Sequence, residues 1–153
     1  MPDSVKLTLL TDSPRAFYSG MLPGAVCKFY VDNDITIHLE PLSKWCRAEY
    51  IEKKVIKIVA NENKIIVEDG SCIEYDLAVI NVGSRTRDRD RTPGVWEYSL
   101  STRPINFLLS NIVAKENYLL ENNIIPIVAV CGGGAAGVEL AFSYKTRWSN
   151  LFK

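Results

Sequence analysis

The apolar run at 127–130 (IVAV) leads through Cys131 into Gly132, Gly133, Gly134, Ala135, Ala136, Gly137, Val138 and Glu139. A strand-like run entering G-x-G-x-x-G constrains the fold more than any other feature of the chain. A glycine turn of this spacing joins a parallel strand to a helix. Gly132 permits the tight turn, Gly134 lets the backbone approach a pyrophosphate, and Gly137 lets helix and strand pack closely. The helix that follows offers unpaired N–H groups and about half a positive charge at its N-terminus. Such a turn is a seat for a diphosphate. It lies near the C-terminal end of the sequence, so little of the domain it ordinarily opens is expected to follow it.

Composition narrows the classes. The chain has 153 residues, 47% of them hydrophobic, with 18 basic and 18 acidic side chains. That is enough for one ordinary domain and too little for two complete ones. A net charge of zero argues against a nucleic-acid binder, which concentrates basic residues on one face. No apolar run is long enough for a transmembrane segment, and the N-terminus lacks the regions of a secretory signal. Cys27, Cys46, Cys72 and Cys131 form neither a C-x-x-C redox pair nor a zinc knuckle. Cys46 and Cys131 sit among apolar residues and read as small buried hydrophobes. A reducing compartment is the simplest assumption, with cytoplasm and mitochondrion both open.

The order of elements follows from local patterns. Residues 5–10 (VKLTLL) predict a strand buried on both faces of a parallel sheet. The segment 15–33 reads as a loop with one helical turn, and 41–47 as a short helix. Stretches 50–60, 64–68 and 73–82 are rich in β-formers. Asn61, Glu62 and Asn63 separate the first two, and Asp69, Gly70 and Ser71 the others. These turn residues predict an antiparallel meander. Leu77, Ala78, Val79 and Ile80 should enter a buried sheet. The run 84–92 (SRTRDRDRT) is expected to be a solvated loop. From Pro104 onward, Ile105, Leu108, Leu109, Ile112, Val113 and Leu120 share one helical face. A strand at 125–130 should then feed the glycine turn. His38, the single histidine, has no companion that would make it a catalyst or ligand, and no metal site is expected. Trp45, Trp96 and Trp148 are expected to pack or to cover edges.

Four segments together resemble the pyridine nucleotide-disulfide oxidoreductase superfamily, the flavoproteins with two dinucleotide folds. Residues 18–24 (YSGMLPG), with Ile37, His38, Leu39, Pro41 and Leu42, are similar to the flavoprotein module associated with selenide, water dikinase, within the type II NADH dehydrogenase-like branch. An acidic residue is more usual where His38 stands. Tyr75 and Asp76 through Val82, Gly83 and Ser84 resemble the second flavin motif, with Asn81 and Val82 replacing its usual Ala-Thr. Residues 132–139 match the start of the NAD(P)H domain.

The resemblance implies an α/β fold of the Rossmann-like FAD/NAD(P)-binding type, a parallel sheet with a β-meander, incomplete at both ends. Residues 1–124 would be a partial FAD-binding domain lacking its first βα unit, and 125–153 the start of the NAD(P)H domain. It implies FAD and NAD(P)H as cofactors. Thr11 takes the place where an acid would meet the adenosine ribose, and Asp12 follows one residue late. Asp12 is equally suited to cap the turn at Ser13 and Pro14. The backbone at Val55 would meet adenosine. Ser19, Gly20 and Met21, and Val82, Gly83 and Ser84, would line the flavin. Gly132, Gly134, Ala135 and Gly137 would hold the second nucleotide, with Glu139 near the nicotinamide or serving only to stabilise the helix N-terminus.

The implied activity is that of a FAD-dependent NAD(P)H oxidoreductase passing electrons to a quinone or another small acceptor. Association with a selenophosphate-synthesis enzyme, or with a second copy, follows from the same likeness. This stretch alone is expected to be weakly active or inactive. The alternatives are a nucleotide-binding module without turnover and a non-functional truncated isoform.

Overall fold

The computed structural model describes residues 4–84 and 91–152. Most of the mixed-charge run at 84–92 and the side chain of Trp96 lie outside the described residues. The chain divides into two compact units, one formed by 1–16 with 36–82 and the other by 17–35 with 83–153.

The first unit is built on strands. β1 (Thr8–Thr11) pairs in parallel with β4 (Glu49–Glu52), Leu9 opposite Tyr50 and Leu10 opposite Ile51. The ladder extends past both ends, since the Glu49 N–H donates to the Leu7 carbonyl and the Lys53 N–H to the Thr11 carbonyl. A parallel pair needs a long crossover. Between β1 and β4 the chain runs through β2 (Arg15–Phe17), β3 (Thr36–His38) and the helix α2 (Leu39–Trp45). The expected helix at 41–47 is therefore present and begins earlier.

The meander is also present. β5 (Val55–Val59), β6 (Lys64–Val67) and β7 (Cys72–Glu74) form an antiparallel sheet in sequence order. Its turns explain their residues. Asn63 ends the first in the left-handed region at φ 52°, a conformation asparagine tolerates. Gly70 in the second has φ +82° with open space around it, so its backbone angle alone favours glycine. The Asp69 carboxylate accepts from the Ser71 N–H and hydroxyl across that turn.

The second unit is helical. α1 (Leu22–Val26) follows a 3-10 turn at Ser19–Met21. A short helix α3 (Val95–Tyr98) precedes the two long ones, α4 (Leu108–Glu121) and α5 (Ala135–Leu151). Leu22, Ala25 and Val26 of α1, Leu108, Ile112 and Leu119 of α4, and Leu140, Tyr144 and Trp148 of α5 close around Ile35 as one core. In α5 the buried apolar positions fall four residues apart, so they stack on one face. Tyr144 and Trp148 meet edge to face with ring centroids 5.4 Å apart.

Several expectations fail here. The 125–130 segment forms no strand, with Ile125 80% and Ile127 101% exposed. Residues 77–80 enter no sheet, and Leu77 and Val79 are exposed. An apolar run becomes a strand only when a neighbour takes its N–H and C=O groups, and no described strand pairs with either run. Cys131, at the end of the first run, is exposed for the same reason. Residues 5–10 are half right: the strand starts at Thr8, its residues are half-buried, and Val5 and Leu7 are exposed. On α4 the buried stripe runs 108, 112, 116 and 119, so Val113 and Leu120 are exposed and Glu116 takes a core position. Trp148 packs as expected, whereas Trp45 is exposed on the surface.

Candidate functional site

The glycine turn has the conformation its spacing demands. Gly132 has φ +123°, which only glycine adopts readily. A Cβ on Gly137 would stand 2.0 Å from the Gly132 carbonyl oxygen, so the first and third glycines are pressed together. Gly134 is different. It precedes α5 with φ −71° and ψ 168°, ordinary extended backbone, and a Cβ there would meet nothing within 4 Å. Gly133 likewise faces open space. Neither the backbone nor packing within the chain explains glycine at 133 or 134.

The amides ahead of that space are available. The first helical bond of α5 runs from the Val138 N–H to the Gly134 carbonyl at 3.1 Å. The N–H groups of Ala135, Ala136 and Gly137 precede it, and no side chain caps this end. The turn is exposed throughout apart from a half-buried Gly137. A pyrophosphate fits this donor set: bare glycine backbone, free amides and the positive end of a helix of 17 residues. Glu139 is exposed on α5 beyond its first turn, where the helix dipole has little effect. Its side chain makes no bond among the described residues, so helix support does not account for it.

The remaining sequence-predicted positions fall in both units. In the helical unit, Ser19 and Gly20 are exposed in the 3-10 turn, and Met21 packs against the core instead of projecting freely. A Cβ on Gly20 would lie 3.2 Å from the Tyr18 ring, and one on Gly24 2.5 Å from the Tyr30 ring. Gly24 is thus a packing glycine. Gly83, at φ +72° with nothing nearby, is glycine for its backbone angle, and Ser84 beside it is exposed.

In the strand unit, the Thr11 hydroxyl accepts from the Ser13 N–H at 3.3 Å and donates to the Ser13 carbonyl at 3.0 Å. The turn is therefore held by Thr11, and the Asp12 carboxylate is exposed without a partner among the described residues. Val55 opens β5 opposite Val67, and Val82 is exposed. His38 stands exposed at the N-cap of α2. Among the described residues no group of three or more His, Cys, Asp or Glu could hold a metal ion.

Sequence reasoning missed the densest polar cluster. Glu116 and Arg147 are both buried. The Arg147 Nε–H donates to Glu116 Oε1 and its Nη2–H to Oε2 at 2.7 Å, while its Nη1–H donates to the Val26 carbonyl at 3.0 Å. The Trp148 indole N–H donates to Glu116 Oε1 at 2.7 Å. Lys28 Nζ stands 4.0 Å from Glu116 Oε2. Burial alone would raise the Glu116 pKa. The hydrogen bonds from Arg147 and Trp148 and the charges of Arg147 and Lys28 outweigh it, and the net shift is downward. An acidic residue four after Ile112 and three before Leu119, inside an apolar stripe, is the signal that would have found it.

An open groove of about 490 Å³ runs along the later part of α5, lined by Ile125, Val128, Tyr144, Trp148 and Phe152 among others. It does not include the glycine turn, so it is a separate feature from the proposed diphosphate seat.

The parallel β1–β4 pair, the antiparallel meander and the glycine turn that opens α5 are parts of an α/β fold of the Rossmann-like kind. The family model for pyridine nucleotide-disulphide oxidoreductases matches residues 3–150, and the chain belongs to that family. It is similar to the sulfide-quinone reductase of Aquifex aeolicus (strain VF5), 32% identical over 85 residues, which are 56% of this chain and 20% of the relative. The crystal structure of the sulfide:quinone oxidoreductase from Aquifex aeolicus superposes with a TM-score of 0.58 at 25% identity, covering 80% of this chain and 28% of that one. The chain thus spans well under a third of these relatives' length. No helix among the described residues is long and apolar enough to cross a membrane.

Proposed function

We propose that this chain supplies nucleotide-holding parts of a FAD-dependent NAD(P)H oxidoreductase whose electrons pass to a quinone or another small acceptor. Gly134 carries the reading. It is a glycine that neither its backbone angles nor its neighbours require, set before free helix amides. A ligand approaching the backbone supplies the missing reason. Family membership and the quinone in the relative's name favour the redox role.

In this reading the amides of Gly134, Ala135 and Gly137 bind the NAD(P)H pyrophosphate, and Gly132 shapes the turn. Glu139 lies toward the nicotinamide. Thr11, Asp12 and Val55 serve the adenosine end of FAD, and Ser19, Gly20, Met21, Val82, Gly83 and Ser84 its flavin. These FAD assignments, the type II NADH dehydrogenase-like branch and the association with a selenophosphate-synthesis enzyme rest on the resemblance alone. The cofactors, when bound, supply hydride and electron transfer, and the protein supplies position and electrostatics.

Two glycine variants test the seat. Gly134→Ala should weaken ADP-ribose and NADH binding at least tenfold, about 1.4 kcal/mol, with an unchanged melting temperature. Gly137→Ala should lower both, because its Cβ collides with the Gly132 carbonyl. Calorimetric titration and thermal melts read the two effects. Wild-type affinity in Gly134→Ala would overturn the assignment. Visible spectra with FAD, and turnover with NADH, NADPH or sulfide against a soluble quinone, identify cofactor and donor. Nucleotide binding without bound flavin would favour the non-catalytic module.

A further inference from the structure

We propose that Glu116 and Arg147 are positioning residues that hold the glycine turn ahead of α5 and the Ser19–Met21 turn ahead of α1 in one fixed register. The inference rests on the nucleotide reading above. It begins from a buried ion pair that no step of the proposed chemistry uses. Such a pair contributes little net stability, because desolvation of both charges offsets their attraction, and its best-attested use is to specify one arrangement among several.

The geometry suits that use. Arg147 is a fork with three occupied prongs, two on Glu116 of α4 and one on the Val26 carbonyl, the last residue of α1. The indole N–H of Trp148, next along α5, bonds the same carboxylate. Three helices therefore meet at one set of directional bonds. The surrounding apolar contacts of Leu140 and Tyr144 are non-directional and would tolerate sliding.

Leverage makes small motions matter. The 13 residues between Gly134 and Arg147 span about 20 Å at 1.5 Å per residue. A tilt of about 5° at the clamp would move the turn by nearly 2 Å, more than the tolerance of a hydrogen bond. At the other side, α1 starts at Leu22, directly after the Ser19–Met21 turn. Holding Val26 therefore also holds the segment assigned to the flavin.

The test compares affinity with stability. Glu116→Gln combined with Arg147→Met removes both charges while leaving an acceptor for the Trp148 indole. In protein shown to be folded, well below its melting temperature, the ADP-ribose dissociation constant should rise at least tenfold. A purely structural clamp would lower the melting temperature and leave that constant alone, and an unchanged constant in the folded variant overturns the proposal.

A second measurement needs no variant. If loop and clamp are coupled, linkage requires the nucleotide to protect the clamp as the clamp favours the nucleotide. Hydrogen exchange of the Trp148 indole N–H in the unaltered protein should slow at least tenfold on saturation with ADP-ribose. Exchange within twofold of the free protein overturns the proposal even if the double variant does not fold. Failure of the unaltered protein to bind ADP-ribose would sink the nucleotide reading itself, and this inference with it.

Discussion

Ten apolar side chains close over one another in the helical unit, whereas Val67 is the one buried apolar residue described in the strand unit. The strand unit has hydrogen-bonded ladders, yet Ile56, Ile58, Val79 and Ile80 are exposed. Hydrogen-bonded order and burial are thus separable in this chain. Ladders set the path of the backbone, while the free energy of folding comes mainly from apolar area removed from water. Charge follows the same division. The helical unit buries an Arg–Glu pair whose side chains are 4% and 6% exposed, while the Lys53–Asp69 pair of the strand unit is 40% and 48% exposed.

The largest effect should come from breaking the buried pair on one side. Arg147→Met leaves Glu116 charged, buried and short of its main partner, and a change of this kind costs about 3–5 kcal/mol. Urea unfolding followed by Trp fluorescence measures it. A loss below about 1 kcal/mol would mean that the buried and exposed pairs behave alike.

A second difference appears at high pH. Burial pushes the Tyr144 phenol up to about 12 from its ordinary value of 10. The folded state then resists ionisation that the unfolded chain accepts. Stability is fully present below pH 10 and is lost as pH rises from there toward 12, by about 3 kcal/mol in all. Tyr144→Phe removes this loss. Unfolding measured at pH 9, 10 and 11 should show a steeper loss of stability in the unaltered protein than in the variant.

The sequence made some of this readable and concealed the rest for definable reasons. The glycine turn, the two hairpin turns of the meander and α4 are local, and each is announced by residues whose backbone preferences point one way. The failure at 125–130 is not local. An apolar run reports willingness to pair, while pairing depends on a neighbour elsewhere in the chain. The missed Glu116–Arg147 pair has another cause. A periodicity read from apolar residues alone passes over a charged residue on the buried face, because each partner makes sense only with the other, 31 positions away. One motif assigns Gly134 and Gly137 their roles together, yet the structure separates them: Gly137 is required by the chain itself, and Gly134 is not.

The smallest effect belongs to the exposed pair. Lys53 Nζ and Asp69 Oδ2 are 2.5 Å apart, and Ser71 gives the same carboxylate two further hydrogen bonds. Together these hold the Asp69 carboxyl well below its usual range, the hydrogen bond from Lys53 first. A depressed carboxylate contributes stability above its ordinary value of 3.8 that is lost as pH falls below it. Both groups are open to solvent, where side-chain entropy and screening cancel most of the attraction. Lys53→Met should therefore move the melting temperature at pH 7 by less than about 3 °C. Raising the salt to about 1 M, where the screening length falls to about 3 Å, should erase even that difference. Arg147→Met should keep its full penalty in the same salt, since its partner is shielded from counterions. A Lys53 variant as damaging as the Arg147 one, or a salt-sensitive Arg147 variant, would erase the distinction between the two units.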